Sequence, residues 1–383
     1  MINKRNIYIM YAIALLHGMV FYGPIATLYR QTNGLTIFQI SLIEGISYLL
    51  CILLEIPWGI LADKIGYKKS MSLCCCLYLI SKIVFWRAFS FWSFLLERIL
   101  LSIVIAGFSG VDTSILYLSC NKNNSQKAFA IYNGLGLVGL LLSSLIYSML
   151  IKDNYPMAAF CTVISYMVAA VLSFFIVEVK NTEANSLNVK AIKGILSRLV
   201  NDKRFILFLI SVAFLSQTHQ TITVFLNQIQ YENVGLSNST IGYVFIIVTL
   251  AGLIGVFSSK LSRILGFRLT GILLHIIVIV SCIILIFAKS AIASVLAIAL
   301  LNITYNLYEP YQLEIQNKSV HSTNRATELS IYAMIVNCIC IGTSILYGVL
   351  ANYNLNYAFC FGAVICFVGF LFFSICNNSK IHP

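Results

Sequence analysis

Long apolar runs alternate with short polar breaks from one end of the chain to the other. A helix needs about 20 apolar residues to cross a hydrocarbon core. Twelve stretches meet that length, at about 6–30, 38–62, 70–90, 92–119, 127–151, 156–178, 205–230, 239–260, 267–288, 291–316, 326–351 and 356–376. With their turns they use most of the chain and leave no room for a soluble catalytic domain. The pattern predicts an all-α polytopic membrane protein. A short basic flank, Met1 to Arg5, precedes an apolar stretch that runs to about residue 29. That stretch is too long for a signal-peptide core and no small-residue cleavage site follows, so it is expected to stay as the first span.

Composition points the same way. Of 383 residues, 60% are hydrophobic and 10% charged, with a mean hydropathy of +0.90. A soluble domain carries roughly 25% charged residues, so lipid must be the solvent for most of this chain. The formal charge of +12 is distributed in a way that argues against a nucleic-acid partner. With the N-terminus inside, the 25 Lys and Arg fall at cytoplasmic ends, except Arg30, Arg87, Lys152 and Lys289 outside and Lys82 and Arg98 within spans. This positive-inside bias predicts that both termini are cytoplasmic. The charge then reports orientation and contact with anionic lipid headgroups. The twelve cysteines sit in spans or at their cytoplasmic ends, Cys74, Cys75, Cys76 and Cys120 among them. Disulfide and metal spacings are missing, so the cysteines read as small packing residues and no cofactor or metal is expected.

The longest polar stretch, 178–204, holds Lys180, Lys190, Lys193, Arg198, Lys203 and Arg204. It predicts a cytoplasmic linker, 179–204, between a six-helix half at 1–178 and another at 205–383. The halves echo each other at an offset near 200. Ser144-Leu145-Ile146-Tyr147 matches Ser344-Ile345-Leu346-Tyr347, Ile131-Tyr132 matches Ile331-Tyr332, and Ala159-Phe160-Cys161 matches Ala358-Phe359-Cys360. Internal repeats of this kind place a binding site near the membrane midplane.

Between the second and third spans stands Gly59-Ile60-Leu61-Ala62-Asp63-Lys64-Ile65-Gly66-Tyr67-Lys68-Lys69. Gly59 permits close helix approach and Gly66 a tight turn, while Asp63 and the cations after it can bridge to neighbouring helix ends. The segment resembles the loop signature of the major facilitator superfamily, Gly-x-Leu-Ala-Asp-Arg-x-Gly-Arg-Lys, with Lys64 for the first arginine and Tyr67 for the second. The resemblance implies the major facilitator fold, two pseudo-symmetric six-helix halves, and a cytoplasmic gate latch made by Gly59, Asp63, Lys64, Gly66, Lys68 and Lys69. A degenerate copy, Gly255, Lys260, Arg263, Gly266 and Arg268, follows the eighth span. Arg98 matches the arginine of the family's fourth-span motif, with Ser102 where a glycine is usual. The glycine-rich run Asn133-Gly134-Leu135-Gly136-Leu137-Val138-Gly139 is similar to the fifth-span antiporter signature and lacks its proline.

Polar residues recur at helical spacing inside four spans. They are Glu44, Tyr48, Cys51 and Glu55 in the second; Arg98, Ser102, Ile105, Ser109 and Asp112 in the fourth; Gln217, Gln220 or Thr221, Val224, Asn227 or Gln228 and Tyr231 in the seventh; and Asn302, Tyr305 or Asn306, Glu309, Gln312 and Gln316 in the tenth. A charge at mid-bilayer costs about 2.5–3.5 kcal/mol on insertion scales, so each needs a partner or a cavity. Lys82 and Glu97 lie at matching depth about the turn near residue 90, which predicts an ion pair. Asp112 reads either as gate structure or as a cavity acid, and Arg98 with Glu97 as an interhelical pair or a cavity group. Glu309 precedes Pro310, which is expected to break the helix, and is the favoured proton or cation site. His17 and His219 can titrate near neutral pH and can equally be packed core residues.

The resemblance implies a secondary active transporter working by alternating access in the bacterial cytoplasmic membrane, a monomer that binds a small-molecule substrate and protons. Proton-coupled efflux of amphipathic or cationic compounds, as in drug–proton antiporters, is the leading expectation. The alternative is an importer or facilitator of a nutrient such as a sugar or metabolite. A membrane enzyme finds no support, since no metal cluster, nucleophile elbow or phosphate loop is present. A non-transporting receptor ranks last, because a static protein has no use for a latch.

Overall fold

A computed structural model describes residues 4–108, 111–120, 125–179, 197–199, 201–320 and 325–377. It is built of helices, and among the described residues twelve are long and apolar enough to cross a membrane, from Lys4–Thr32 to Leu355–Cys376. Their outer surfaces are apolar, as a lipid solvent requires: Ile247, Ile264 and Leu150 are all well exposed. Most of the predicted linker, 180–196 and 200, lies outside the described residues.

Several spans are interrupted where the local sequence dictates. The first runs Lys4–Gly18, turns through a 3-10 segment at Gly23–Ile25 and resumes at Ala26–Thr32. Pro24 lacks the amide needed to continue the ladder. The seventh runs Lys203–Gln220, widens to a π-helix at Thr221–Leu226 and returns to α at Asn227–Asn233. Thr221, Ile222, Thr223 and Val224 are consecutive β-branched residues, and the Thr223 hydroxyl donates to the His219 carbonyl at 2.8 Å, competing with the α-helical ladder. This corrects the single polar face expected of the span. The extra residue per turn leaves Val224 exposed while Gln217, Asn227, Gln228 and Tyr231 are buried.

The tenth span corrects a second expectation. Pro310 does not break it, because the helix is continuous from Ala291 to Lys318. The carbonyls one turn before the proline are met by a neighbour. Ser258 donates to Leu307 O at 2.6 Å, and Gly255 lets its own backbone lie close against the Asn306 carbonyl. A proline is tolerated in a membrane helix when adjacent helices re-satisfy the freed groups.

The internal repeat extends well beyond the three sequence matches. Gly66 (φ 90°, ψ 155°) and Gly266 (φ 78°, ψ 155°) make the same turn into the next span. Both need a positive φ that only glycine adopts cheaply. The Ser70 and Thr270 hydroxyls then return to Gly66 O and Gly266 O at 2.9 and 2.8 Å. Gly34 and Gly235 share φ 83°, each ending a helix with the amide of the following leucine on a carbonyl five residues back. Asn154 and Asn354 each accept a backbone amide at the start of a following span.

The chain forms two compact units. One comprises Met1–Leu35, Ile46–Asn185 and Asn238–Ile246; the other comprises Thr36–Gly45, Ser186–Ser237 and Ile247–Pro383. In the first, Asn6 clamps distant parts of the chain together, exchanging two 2.8 Å hydrogen bonds with the Val177 backbone and donating to Ser119. Its first and fifth spans touch backbone to backbone: a Cβ on Gly18 would collide with Gly136 O, and one on Gly139 with Leu15 O. In the second unit, Tyr347 reaches Thr218 at 2.8 Å. There His275 is a packed core histidine, held by Ser211 at 2.9 Å and the Gly271 carbonyl at 2.7 Å.

Candidate functional site

Each unit carries its own polar cluster, buried in the first and half-buried in the second. In the first, Lys82 Nζ lies 3.2 Å from Glu97 Oε1, as their matched depths predict. A second cation joins them: Arg30 Nη2 is 3.8 Å from the other carboxylate oxygen. All three are nearly inaccessible, with Lys82 4%, Glu97 1% and Arg30 5% exposed. Aromatic faces enclose the charges. Lys82 Nζ stands 5.7, 5.1 and 5.8 Å from the rings of Tyr22, Tyr78 and Tyr166, and Arg30 lies over Phe85. Such cation–π contacts gain strength once desolvated. Next to them His17 packs among Tyr78, Phe108 and Tyr166. It also borders a cavity of about 520 Å³ lined by Gly18, Tyr132, Asn133 and Gly136 among others.

Arg98 follows Glu97 in sequence. Its carbonyl accepts from Ser102 at 2.8 Å, and the Ser102 hydroxyl meets that of Ser47 on the second span at 2.8 Å. The serine that stands where the family pattern has glycine therefore links two helices. Asp112 accepts the Tyr132 hydroxyl at 3.3 Å, joining the fourth span to the fifth. Ser109 lies outside the described residues.

In the second unit the His219 ring stacks on Tyr305, with centroids 3.9 Å apart and planes within 7°. His219 Nε2 is 3.0 Å from Asn302 Oδ1. Asn302 donates to Val248 O at 2.8 Å, and Asn306 donates to Asn302 O at 2.8 Å. Gly252 makes room for both amides, since any side chain there would strike them. Glu309, one helical turn beyond Tyr305, is exposed. Asn302, Tyr305 and Asn306 of the tenth span and His219 thus form one half-buried surface, with the exposed Glu309 carboxylate at its end. Gln217 donates to Thr221 at 2.9 Å and Gln228 to Val224 O at 3.0 Å, both within their own span. Gln220 is half-buried, and Glu44, 3% exposed, belongs to this unit through residues Thr36–Gly45. Gln316 donates to Gln312.

Of the expected latch, Lys64 and Lys69 are exposed and Lys68 half-buried; the side chains of Glu55, Gly59 and Asp63 lie outside the described residues. The Gly66 turn has a partner the sequence does not indicate: Glu178 Oε1 accepts the Lys68 amide at 3.3 Å and packs where a Gly66 side chain would sit. A carboxylate at the first turn of helix Tyr67–Trp86 complements its dipole. Arg30, Tyr22, Tyr78, Tyr166 and Glu178 are residues of these clusters that sequence reasoning leaves out as site candidates. Arg30 reads as an outer-loop cation, yet it sits at the same end of its span as Glu97 does in its own. A carboxylate facing two charged spans is the available signal. Among the described residues no group of three His, Cys, Asp or Glu is placed to hold a metal.

Comparison with known proteins agrees with this architecture. The chain superposes on the crystal structure of a mutant of the nucleoside transporter NupG with a TM-score of 0.84 at 14% identity, covering 97% of this chain and 100% of that one. A bacterial homolog of the human lysosomal transporter Spinster, in an inward-facing unoccupied conformation, gives 0.77 at 15% identity, with 98% and 97% covered. The D-xylose-proton symporter gives 0.74 at 12% identity, with 97% of each chain covered. An uncharacterized MFS-type transporter of Methanocaldococcus jannaschii is 26% identical over 201 residues, 51% of this chain; the match spans about half, 52%, of that relative. The family model of the Major Facilitator Superfamily matches residues 7–340. With twelve apolar spans in two repeated sets of six and a family match over nearly the whole chain, this protein belongs to the Major Facilitator Superfamily of membrane transporters.

Proposed function

We propose that the protein is a proton-coupled secondary active transporter that moves a small organic solute with an aromatic or apolar body and a cationic group. The observation that carries this reading is the half-buried surface of His219, Tyr305, Asn302 and Asn306, with the exposed Glu309 carboxylate one turn on. Stacked rings offer a face to a planar or cationic group, the amides offer hydrogen bonds, and Glu309 offers either a counter-charge or a proton site. Cargo and proton competing for one carboxylate would couple their movements in opposite directions. Alternating access would open this surface first to one side of the membrane and then to the other. Cargo with an apolar body partitions into lipid, which makes export the useful direction. The setting is the bacterial cytoplasmic membrane, with both termini and the 179–204 linker cytoplasmic. The protein works as a monomer of two six-span halves, 1–178 and 205–383.

A second reading has one observation in its favour. Asn302 and Asn306 beside the ring pair also suit a neutral, ring-bearing metabolite, and the fold neighbours include a nucleoside transporter and a D-xylose-proton symporter. Purified protein in proteoliposomes separates the two. A panel of an aromatic quaternary ammonium compound, a nucleoside and a pentose is assayed with and without a pH gradient. Glu309→Gln keeps shape and hydrogen bonding but cannot ionise, so it should abolish gradient-driven movement of the cationic compound. Gradient-driven transport at the wild-type rate would move the coupling site elsewhere, with Asp112 and Glu44 next to be tested.

A further inference from the structure

The repeat makes one kind of turn twice and surrounds its two copies differently. At Gly66 the chain supplies its own anion, the Glu178 carboxylate at the Lys68 amide. At Gly266, with the same backbone, no atom of the described residues other than its own chain neighbours comes within 4 Å of where a side chain would start. Around this second turn the side chains are cationic and apolar in alternation. Lys260, Arg263 and Arg268 are exposed, and Lys318 lies 4.7 Å over the Phe267 ring. Phe257, Ile264 and Leu269 are 58%, 70% and 59% exposed between them. Glu314 ion-pairs with Lys318 at 2.9 Å.

Exposed apolar side chains interleaved with cations at the junction of two spans suit the boundary between acyl chains and headgroups. The helix Ser258–Leu265 has that layout, with buried Ser258 and Ser262 on one face and Lys260, Arg263 and Ile264 on the other. We propose that the surface formed by Lys260, Arg263, Arg268, Lys318, Ile264 and Leu269 binds the headgroup of an anionic phospholipid. Its acyl chains lie along the exposed leucine and isoleucine, and its negative charge meets the cations. The lipid supplies to this turn the anion that Glu178 supplies to the other. Juxtamembrane cations attract anionic headgroups additively, so a surface carrying several of them favours an anionic lipid over a zwitterionic one.

The test uses full-length protein in phosphatidylcholine nanodiscs titrated with phosphatidylglycerol, read by thermal unfolding and by native mass spectrometry. Wild-type protein should gain stability and retain bound phosphatidylglycerol. The triple variant Lys260→Gln, Arg263→Gln, Arg268→Gln should bind about a hundredfold more weakly, the effect of removing three cations near an anionic surface. Lys260→Arg with Arg263→Lys and Arg268→Lys keeps the charges and should restore binding, which separates loss of the site from loss of the fold. Lys152→Gln with Lys289→Gln removes two charges from the opposite ends of spans and should leave binding unchanged. An equal response to phosphatidylcholine overturns the proposal, as does undiminished phosphatidylglycerol binding by the triple variant.

Discussion

Removing Glu97 should destabilise the protein more than removing either cation that faces it. Glu97→Gln leaves Lys82 and Arg30, 4% and 5% exposed, without the carboxylate that both approach. Truncating one side of a buried pair typically costs about 3–5 kcal/mol, because the charge left behind can neither pair nor hydrate. Lys82→Met leaves Glu97 with Arg30 still 3.8 Å away, so its cost should approach that of one lost charged hydrogen bond, about 1.5–3 kcal/mol. The repeat suggests the double variant. At an offset of 200, Lys82 corresponds to Cys282 and Glu97 to Ala297, while Ser81 and Ser281, Ala88 and Ala288, and Ser90 and Ser290 stay matched. The same scaffold therefore folds with either pair. Lys82→Cys with Glu97→Ala should lose less than the two single changes summed, with a coupling above about 0.5 kcal/mol. Unfolding of purified protein in detergent measures each corner of the cycle. Additive losses, or a Lys82→Met cost equal to that of Glu97→Gln, would refute the three-charge arrangement.

Three further outcomes concern the loops. Asp63→Asn should cut vesicle transport strongly without impairing membrane insertion, since the residue lies in the predicted gate motif at a span end; near-normal transport would count against a gate there. Gly66→Ala forces a positive φ on a side-chain-bearing residue and crowds Glu178, which should cost about 1–2 kcal/mol in unfolding experiments. A stability loss no larger than that of alanine placed at an ordinary exposed loop position would show the turn to be unconstrained. A cysteine at Asn185 should react with an impermeant reagent only in inverted vesicles, and labelling of intact cells would reverse the proposed orientation.

The twelve spans are legible in the sequence because hydropathy over about 20 residues is a bulk property, insensitive to any one side chain. Their observed limits differ from the expected ones by a few residues at most ends. The Lys82–Glu97 contact is legible because depth in a span can be counted from a turn. Properties that depend on rotation about a helix axis are less accessible. The π turn at Thr221–Leu226 adds a residue that no 3.6-residue spacing anticipates, so the polar face drawn through Val224 does not exist. Pro310 reads as a break because its own sequence omits the Ser258 hydroxyl that meets the neighbouring carbonyl from 49 residues away. Arg30 reads as solvated since it closes an apolar run, and only the fold brings Glu97 to it. Glu178 reads as the last residue of the sixth span, opening the polar stretch, whereas its carboxylate belongs to the Gly66 turn.

The meeting of Gly18 with Gly136, and of Gly139 with Leu15 O, limits how this sequence can vary. At Gly271 the nearest obstacle is the tip of the Phe373 ring, which a smaller residue at 373 would remove, so a change at one position can be rescued at the other. At Gly18 and Gly139 the obstacle is peptide backbone. A carbonyl has no rotamer to change and no smaller version to mutate into. Any methyl added there must push the first and fifth spans apart along their length, and no substitution in the opposing residue can draw them back. These two glycines therefore have no side-chain suppressors. A selection for second-site revertants of Gly139→Ala should return the glycine itself, or changes elsewhere that stabilise the protein as a whole.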